Sequence, residues 1–323
     1  MSDNEGVRKT SMAGVSGTPV AAAMLGPLAG TRVVRRPHFG RWFSALLIFA
    51  IVGGIASAVA TSPNIHWPAV GTYFTNSAIL DGLVVTLELT LLAMTIGITL
   101  GILLALMRLS SNVVLKVSSL VYIWLFRGSP LLVQIIVWYN IALVFPAIDF
   151  FGHRVSTNAL ISPFTAAVLA LGLNEGAYMS EIVRAGILSI PQGQMDAALT
   201  VGLTRGEAMR KVVIPQSLRV IVPPTGNQTI GMLKTTSLVS VIAAQDLLTR
   251  AEYIYAKNFL IIELLIVASI WYLVLTTVAT VGQYFLEKKI GVGSRRSESG
   301  RGGVMASIVQ QLRRPLSLLL RRG

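Results

Sequence analysis

The chain has no cysteine, which excludes disulfides, thiolate metal sites and cysteine nucleophiles. Histidine is nearly as scarce: His38, His66 and His153 are scattered without ligand spacing, so no metal centre is expected. Charge is also sparse. Charged residues make up 13% of the 323 residues against 53% hydrophobic, with a mean hydropathy of +0.69. Soluble domains carry about 25% charged residues, so the polar surface needed to coat a soluble globule is missing. Catalytic signatures are absent as well. No G-x-x-x-x-G-K-[ST] phosphate loop occurs, and the glycine-rich stretch 291–303 does not join a strand to a helix as a nucleotide loop requires. G-x-S-x-G and H-E-x-x-H are missing too, which leaves serine-hydrolase and zinc-protease chemistry without their parts. Neither covalent chemistry nor a bound cofactor is expected.

Long apolar runs are what the chain has in abundance, and they predict an all-α polytopic membrane protein with about six transmembrane helices. Residues 1–41, rich in Gly, Ala, Ser and Arg, are expected to form a disordered cytosolic tail. Residues 42–60 form an accessory first span, too long and too far from the N-terminus for a signal-peptide core. The transmembrane core is placed at 79–286. Within it, spans are predicted at 82–107, 117–144, 163–183, 217–248 and 260–286, the third interrupted by Arg127-Gly128-Ser129-Pro130 and the fifth broken by Pro223-Pro224. Gly97 and Gly101 give the second span a small-residue face for close helix packing. External loops are expected at 61–78 and 149–162. Residues 287–323 form a basic tail whose Ile308, Val309, Leu312 and Leu316 suit the membrane surface.

Basic residues set the orientation. With both termini inside, 22 of the 27 Lys and Arg lie in cytosolic segments, and Arg154, Arg250 and Lys257 are the ones in outer loops. The net charge of +13 is therefore read as topology, and nucleic acid is not an expected partner.

On the inner side lies the stretch 196–215, DAALTVGLTRGEAMRKVVIP, which reads as a helix-Gly-helix hairpin beginning after Ser189-Ile190-Pro191. Met195, Ala198 and Leu199 share one helix face and Gly202 supplies a C-cap. Thr204 fits an N-cap whose capping box Glu207 completes, and the second helix is expected to pass Ala208 and Val212 and to end at Pro215. Such a hairpin is either a docking element for a partner or an ordinary connector between spans.

The stretch resembles the EAA loop of ABC-importer permeases: E-A-A, three residues, G, nine residues, I-x-L-P. Asp196-Ala197-Ala198, Gly202, Val212 and Ile214-Pro215 fall at those spacings, with Asp for Glu, Val for Ile and Ile for Leu. From about residue 82 to residue 283 the chain is similar to permeases of the polar amino-acid uptake group. Arg127-Gly128-Ser129-Pro130-Leu131-Leu132-Val133-Gln134 looks like their RGTPLL(V/L)Q, and Pro223-Pro224-x-x-Asn227-Gln228 and Leu233-Lys234-x-Thr236-Ser237-Leu238 are also similar; Thr235 stands where Asp or Asn is usual. The resemblance implies a subunit of a bacterial inner-membrane importer whose docking loop, 189–215, engages a cytosolic ABC ATPase dimer. ATP and Mg would be bound by that partner. It further implies an external solute-binding protein and a second permease, the same chain or a homologue. An ion-coupled secondary transporter or channel is the rival reading, and it leaves the loop unexplained.

The embedded polar residues are the candidates for a substrate pathway: Arg127, Glu175, Asn227, Gln228, Lys234 and Thr236. Glu175 lies about 18 Å along its helix from the outer end, where an ionisable group is costly unless it faces water or a partner. It either meets substrate or pairs internally with Lys234. Arg127 either lines the pathway or bonds carbonyls freed by the helix break. Glu181 and Arg184, three residues apart, are expected to pair on the helix surface.

Overall fold

A computed structural model describes residues 39–150 and 153–291. The expected N-terminal tail, apart from its last three residues, and the segment from Ile308 to Leu316 lie outside them. The chain divides into two units after Pro63. In the first, α1 (Phe39–Ala60) begins three residues before the expected span. From Phe43 on it is apolar all round and nearly every side chain is exposed, the pattern of a helix that meets lipid on every face.

The second unit opens with α2 (Trp67–Phe74), a short helix where a loop is expected. Pro68 lies in its first turn, where a missing N–H costs nothing. Next come α3 (Ser77–Leu109) and α4 (Val113–Gly128), each started by an asparagine whose carbonyl accepts a backbone N–H: Asn76 from Ala78 and Asn112 from Val114, both at 2.9 Å. Between α4 and α5 (Leu131–Tyr139) the axis bends by 100°. Pro130 forces the bend: Ser129 before it is extended, at φ −106° and ψ 145°. A small antiparallel hairpin follows, β1 (Ala147–Phe150) and β2 (His153–Ser156), with Ala147 opposite Ser156. It is a local departure from the all-α expectation. A single turn, α6 (Thr157–Leu160), then leads to α7 (Pro163–Leu188), which Ser162 caps.

Close packing of α3 on α7 builds the core. Ile96 meets Gly172, Gly97 meets Glu175, Leu100 meets Gly176 and Gly101 meets Met179, pairs that advance together, so the two helices run parallel. A Cβ on Gly97 would sit 2.5 Å from Cγ of Glu175. Lipid offers apolar groups no reason to leave it, so backbone proximity of this kind, together with dispersion, holds membrane helices together. Leu89, Ala93, Leu171 and Val239 are fully buried around this contact. A second cluster, Ile79, Leu247, Leu264 and Val267, lies toward the other end of the unit, flanked by Phe74 stacked on Trp271 at 4.7 Å.

The chain beyond α7 differs from expectation at the proline pair. A loop containing α8 (Gln192–Thr200) and α9 (Arg205–Ala208) passes through a π-helical turn, Met209–Val213, directly into α10 (Ile214–Thr235). Pro215 therefore does not end the second loop helix; it stands in the first turn of α10, which suits proline. Pro223-Pro224 does not break the span either: α10 continues through both. The N–H groups that the pair lacks would have met the Arg219 and Val220 carbonyls one turn earlier. Gln283 donates to the Pro223 carbonyl at 3.1 Å, and Thr225 bonds back to the Ile221 carbonyl at 2.9 Å. The helix changes instead at Thr236, where a 3-10 segment, Thr236–Ile242, ends in left-handed Ala243 and Gln245, at φ 56° and 65°. An unanticipated helix, α11 (Leu247–Asn258), capped by Asp246, lies where an outer loop is expected, and α12 (Ile261–Lys289) completes the described chain.

By length and composition, residues 43–60 of α1 and all of α3 and α12 suffice to cross a membrane, and α4 with α5 would make one bent span. Helices α7 and α10 have 26 and 22 residues, about 39 and 33 Å at 1.5 Å per residue, against roughly 30 Å of hydrocarbon. Their polar residues, which lower their hydropathy, form the site.

Candidate functional site

The carbonyls freed at the α4–α5 bend need partners in an apolar setting. Gln134 provides them: its Nε2 donates to the Phe126 carbonyl at 2.9 Å, the Ser129 carbonyl at 3.1 Å and the Ser129 hydroxyl at 2.8 Å. Asn174 on α7 donates to the Phe126 carbonyl at 2.8 Å and to Oε1 of Gln134 at 3.2 Å. The bend is thus tied to α7 by amides. Arg127 is not needed for that task and points elsewhere.

With the bend fixed, a cavity of about 480 Å³ opens among Arg127, Glu175, Tyr178, Gln228 and their neighbours. Glu175 is 4% exposed. Its oxygens accept from Nε2 of Gln228 on α10 at 3.2 and 3.4 Å. Of the two alternatives for Glu175, the internal pair with Lys234 is not formed: Lys234 is exposed and outside the cavity lining, and among the described residues Glu175 has no cationic partner. Across the cavity, Arg127 stacks over Tyr178 at 5.1 Å and lies 3.6 Å from Glu181. Glu181 also receives Arg184 at 2.9 Å and Arg108, so the expected Glu181–Arg184 pair is one side of a cluster of three arginines on one carboxylate.

The six pathway candidates therefore separate. Arg127, Glu175 and Gln228 share the cavity. Asn227 is exposed and accepts from Gln283 at 3.3 Å, away from Glu175. Thr236 is buried and bonds back to the Leu233 carbonyl at 2.8 Å, a role in the helix change rather than in the cavity. Tyr178 and Arg108 were missed. Tyr178 stands three residues after Glu175 and three before Glu181, a helical spacing that carried the signal.

At the far end of α7 the loop has the local geometry its sequence predicts. Gly202 adopts φ +89°, its N–H bonds the Leu199 carbonyl at 3.0 Å, and Leu203 N–H reaches back to Ala198 at 3.2 Å. The capping box is closed: Thr204 Oγ1 accepts from Glu207 N–H at 3.3 Å, and Glu207 accepts from Thr204 N–H at 3.1 Å. Lys211, 3.0 Å away, and then the Thr204 bonds hold the Glu207 carboxyl well below the usual carboxylate range, at about 2. Ala198 is buried, whereas Asp196, Ala197, Val201 and Gly202 are exposed and present one surface.

Fold and site together define a multi-pass helical membrane protein with a charged cavity between its spans and a preformed two-helix loop at one end. Residues 97–292 match the family described as "Binding-protein-dependent transport system inner membrane component", and the chain belongs to that family. Among its relatives is the arginine transport system permease protein ArgU of Corynebacterium glutamicum, 40% identical over 266 residues, 82% of this chain and 84% of that one. The glutamine transport system permease protein GlnP of Escherichia coli is 34% identical over 227 residues, covering 70% and 96%. A crystal structure of an amino acid ABC transporter superposes with a TM-score of 0.58 at 38% identity, covering 66% of this chain and 94% of that one.

Proposed function

We propose that the chain is the transmembrane permease subunit of an ATP-driven importer of polar amino acids, with basic amino acids as the preferred class. The observation that carries this reading is the cavity that Arg127 and Glu175 line together, where Glu175 accepts from Gln228. A zwitterion fits that polarity, its carboxylate toward the arginine and its cationic end toward the glutamate. Glu175 has an amide as its hydrogen-bond partner and no cationic one among the described residues, so it is the carboxylate open to a second positive charge on the ligand. The naming of one relative as an arginine permease agrees with this.

In this reading the chain binds no nucleotide. A pair of cytosolic ATPase subunits binds ATP and Mg, grips the loops of two permease chains and moves α7 and α10, which flank the loop and carry the cavity, between inward-open and outward-open states. An external solute-binding protein delivers the amino acid. Both termini and the loop are cytosolic.

Reconstitution with the ATPase and binding protein should give uptake of arginine or lysine that needs ATP on the loop side. Uptake by the permease alone, driven by an ion gradient, would overturn the proposal in favour of a secondary transporter. The orientation has its own check, for which the absence of native cysteine is convenient. Gly202→Cys should be protected from an impermeant maleimide in intact cells and labelled in inverted vesicles; the opposite pattern refutes the topology.

A further inference from the structure

Beyond the charged cavity, a groove of about 530 Å³ lies between α3, α7, α10 and the end of α12, toward the loop. It runs from Ile98 to Leu106 along α3 and from Met179 to Ile187 along α7, about 12 Å in each case at 1.5 Å per residue. One leaflet of hydrocarbon is roughly 15 Å deep, half the thickness of the bilayer core. The mouth lies where the helices end: Leu106 is one turn before Leu109, Ile187 is beside Leu188, and Ile214 is the first residue of α10. The groove therefore spans the leaflet on the loop side. Ile102, Leu106, Leu218 and Leu286 are exposed in its lining, so it is open to lipid.

Its chemistry asks for hydrocarbon. The lining is apolar apart from Ser217, Thr225 and Thr229, and each of those hydroxyls already donates to a carbonyl of its own helix: Ser217 to Ile214 at 3.0 Å, Thr225 to Ile221 at 2.9 Å and Thr229 to Thr225 at 3.0 Å. Spread over that length, the volume leaves a channel about 7 Å wide, too narrow for a helix about 10 Å across. Left empty, it would forfeit dispersion contacts along every wall, which a lipid tail restores. The mouth is cationic. Arg210 stands one turn before Ile214, Arg219 beside Leu218 and Lys289 one turn after Leu286; all three are exposed, and among the described residues they form no ion pair. The nearby carboxylates are engaged: Glu181 holds its arginines, Glu207 holds Lys211, and Glu287 accepts from Gln283 at 2.8 Å. Basic clusters at the end of an apolar groove between spans suit an anionic headgroup.

We propose that the groove holds one acyl chain of an anionic glycerophospholipid from the loop-side leaflet, with Arg210, Arg219 and Lys289 around its phosphate. Such a site needs only a bilayer, not a particular cargo, so it stands or falls apart from the importer reading. The chain is reconstituted in bilayers of equal phosphatidylglycerol and phosphatidylethanolamine, extracted into mild detergent and washed, and the retained phospholipid is measured by mass spectrometry. Wild type should keep a phospholipid per chain, chiefly phosphatidylglycerol. Ile102→Trp and Leu218→Trp, which enlarge exposed lining residues and fill the groove, should each lower retention about tenfold while eluting as wild type does. Arg219→Gln combined with Lys289→Gln should keep the lipid but reduce the preference for phosphatidylglycerol about tenfold. Wild type that retains no phospholipid, or retention unchanged in both tryptophan variants, overturns the site. So does loss of a permease dimer in those variants in place of lipid, which would give the groove to a second copy. Equal retention of the two lipids by wild type overturns the anionic headgroup.

Discussion

Replacing Gly202 with leucine is expected to abolish ATP-coupled import while leaving membrane insertion and substrate binding in place. The backbone at this position sits at φ +89°, a region costing a residue with a side chain about 1–2 kcal/mol and a branched one more. Steric collision is not the reason, since no atom lies within 4 Å of where a Cβ would be. The strain is purely conformational, and a loop anchored at both ends relieves it by giving up the bonds from Gly202 to Leu199 and from Leu203 to Ala198. Those bonds set the angle between α8 and the capped start of α9, and with it the surface formed by Asp196, Ala197 and Val201. Gly193→Leu is the matched control: the same loop, equally open space and no positive φ. Import and ATP turnover measured side by side should show coupling lost at 202 and kept at 193. Asp196→Lys, which reverses the charge of that surface without touching the backbone, should weaken ATPase association. If Gly202→Leu imports at the wild-type rate with normal turnover, the loop is a connector and its docking role is wrong.

Local chemistry explains why this loop was legible in the sequence. The Thr204–Glu207 box and the C-cap at Gly202 depend on residues within a few positions of each other, so spacing alone specifies them. The Pro130 break was legible for the same reason. Pro223-Pro224 misled because propensity is local and tertiary contacts are not: α12 packs on α10 here, and its Gln283, sixty positions away, donates to the Pro223 carbonyl. Helix α11 was hidden by its polarity, although Asp246 three residues ahead of Thr249 is a capping signature. The site was half visible. A glutamate in mid-span announces itself by its desolvation cost, but the choice between Gln228 and Lys234 as its neighbour turns on which face of α10 meets α7. Sequence left a substrate contact and a pair with Lys234 as alternatives; the packing gives Glu175 the amide of Gln228 as its neighbour.

Loss of uptake in Glu175→Gln is the second large effect expected, and it separates a substrate contact from a structural one. The amide is nearly isosteric and keeps an oxygen to accept from Gln228, now 3.2 Å from Oε1, so the contact between α7 and α10 survives. What disappears is the negative charge in a cavity whose other ionic group, Arg127, is positive. Truncating one partner of a desolvated charge pair costs about 2–5 kcal/mol. The concentration for half-maximal arginine uptake should therefore rise by about thirtyfold or more. A neutral polar amino acid such as glutamine, with no side-chain cation to leave unpaired, should lose far less. Arg127→Gln is expected to impair both substrates, because each presents the same α-carboxylate. Retained assembly with the ATPase in both variants would show that the fold is intact. Unchanged arginine affinity in Glu175→Gln would sink the assignment: the glutamate would then serve only to hold Gln228, and the basis for a cationic substrate would go with it.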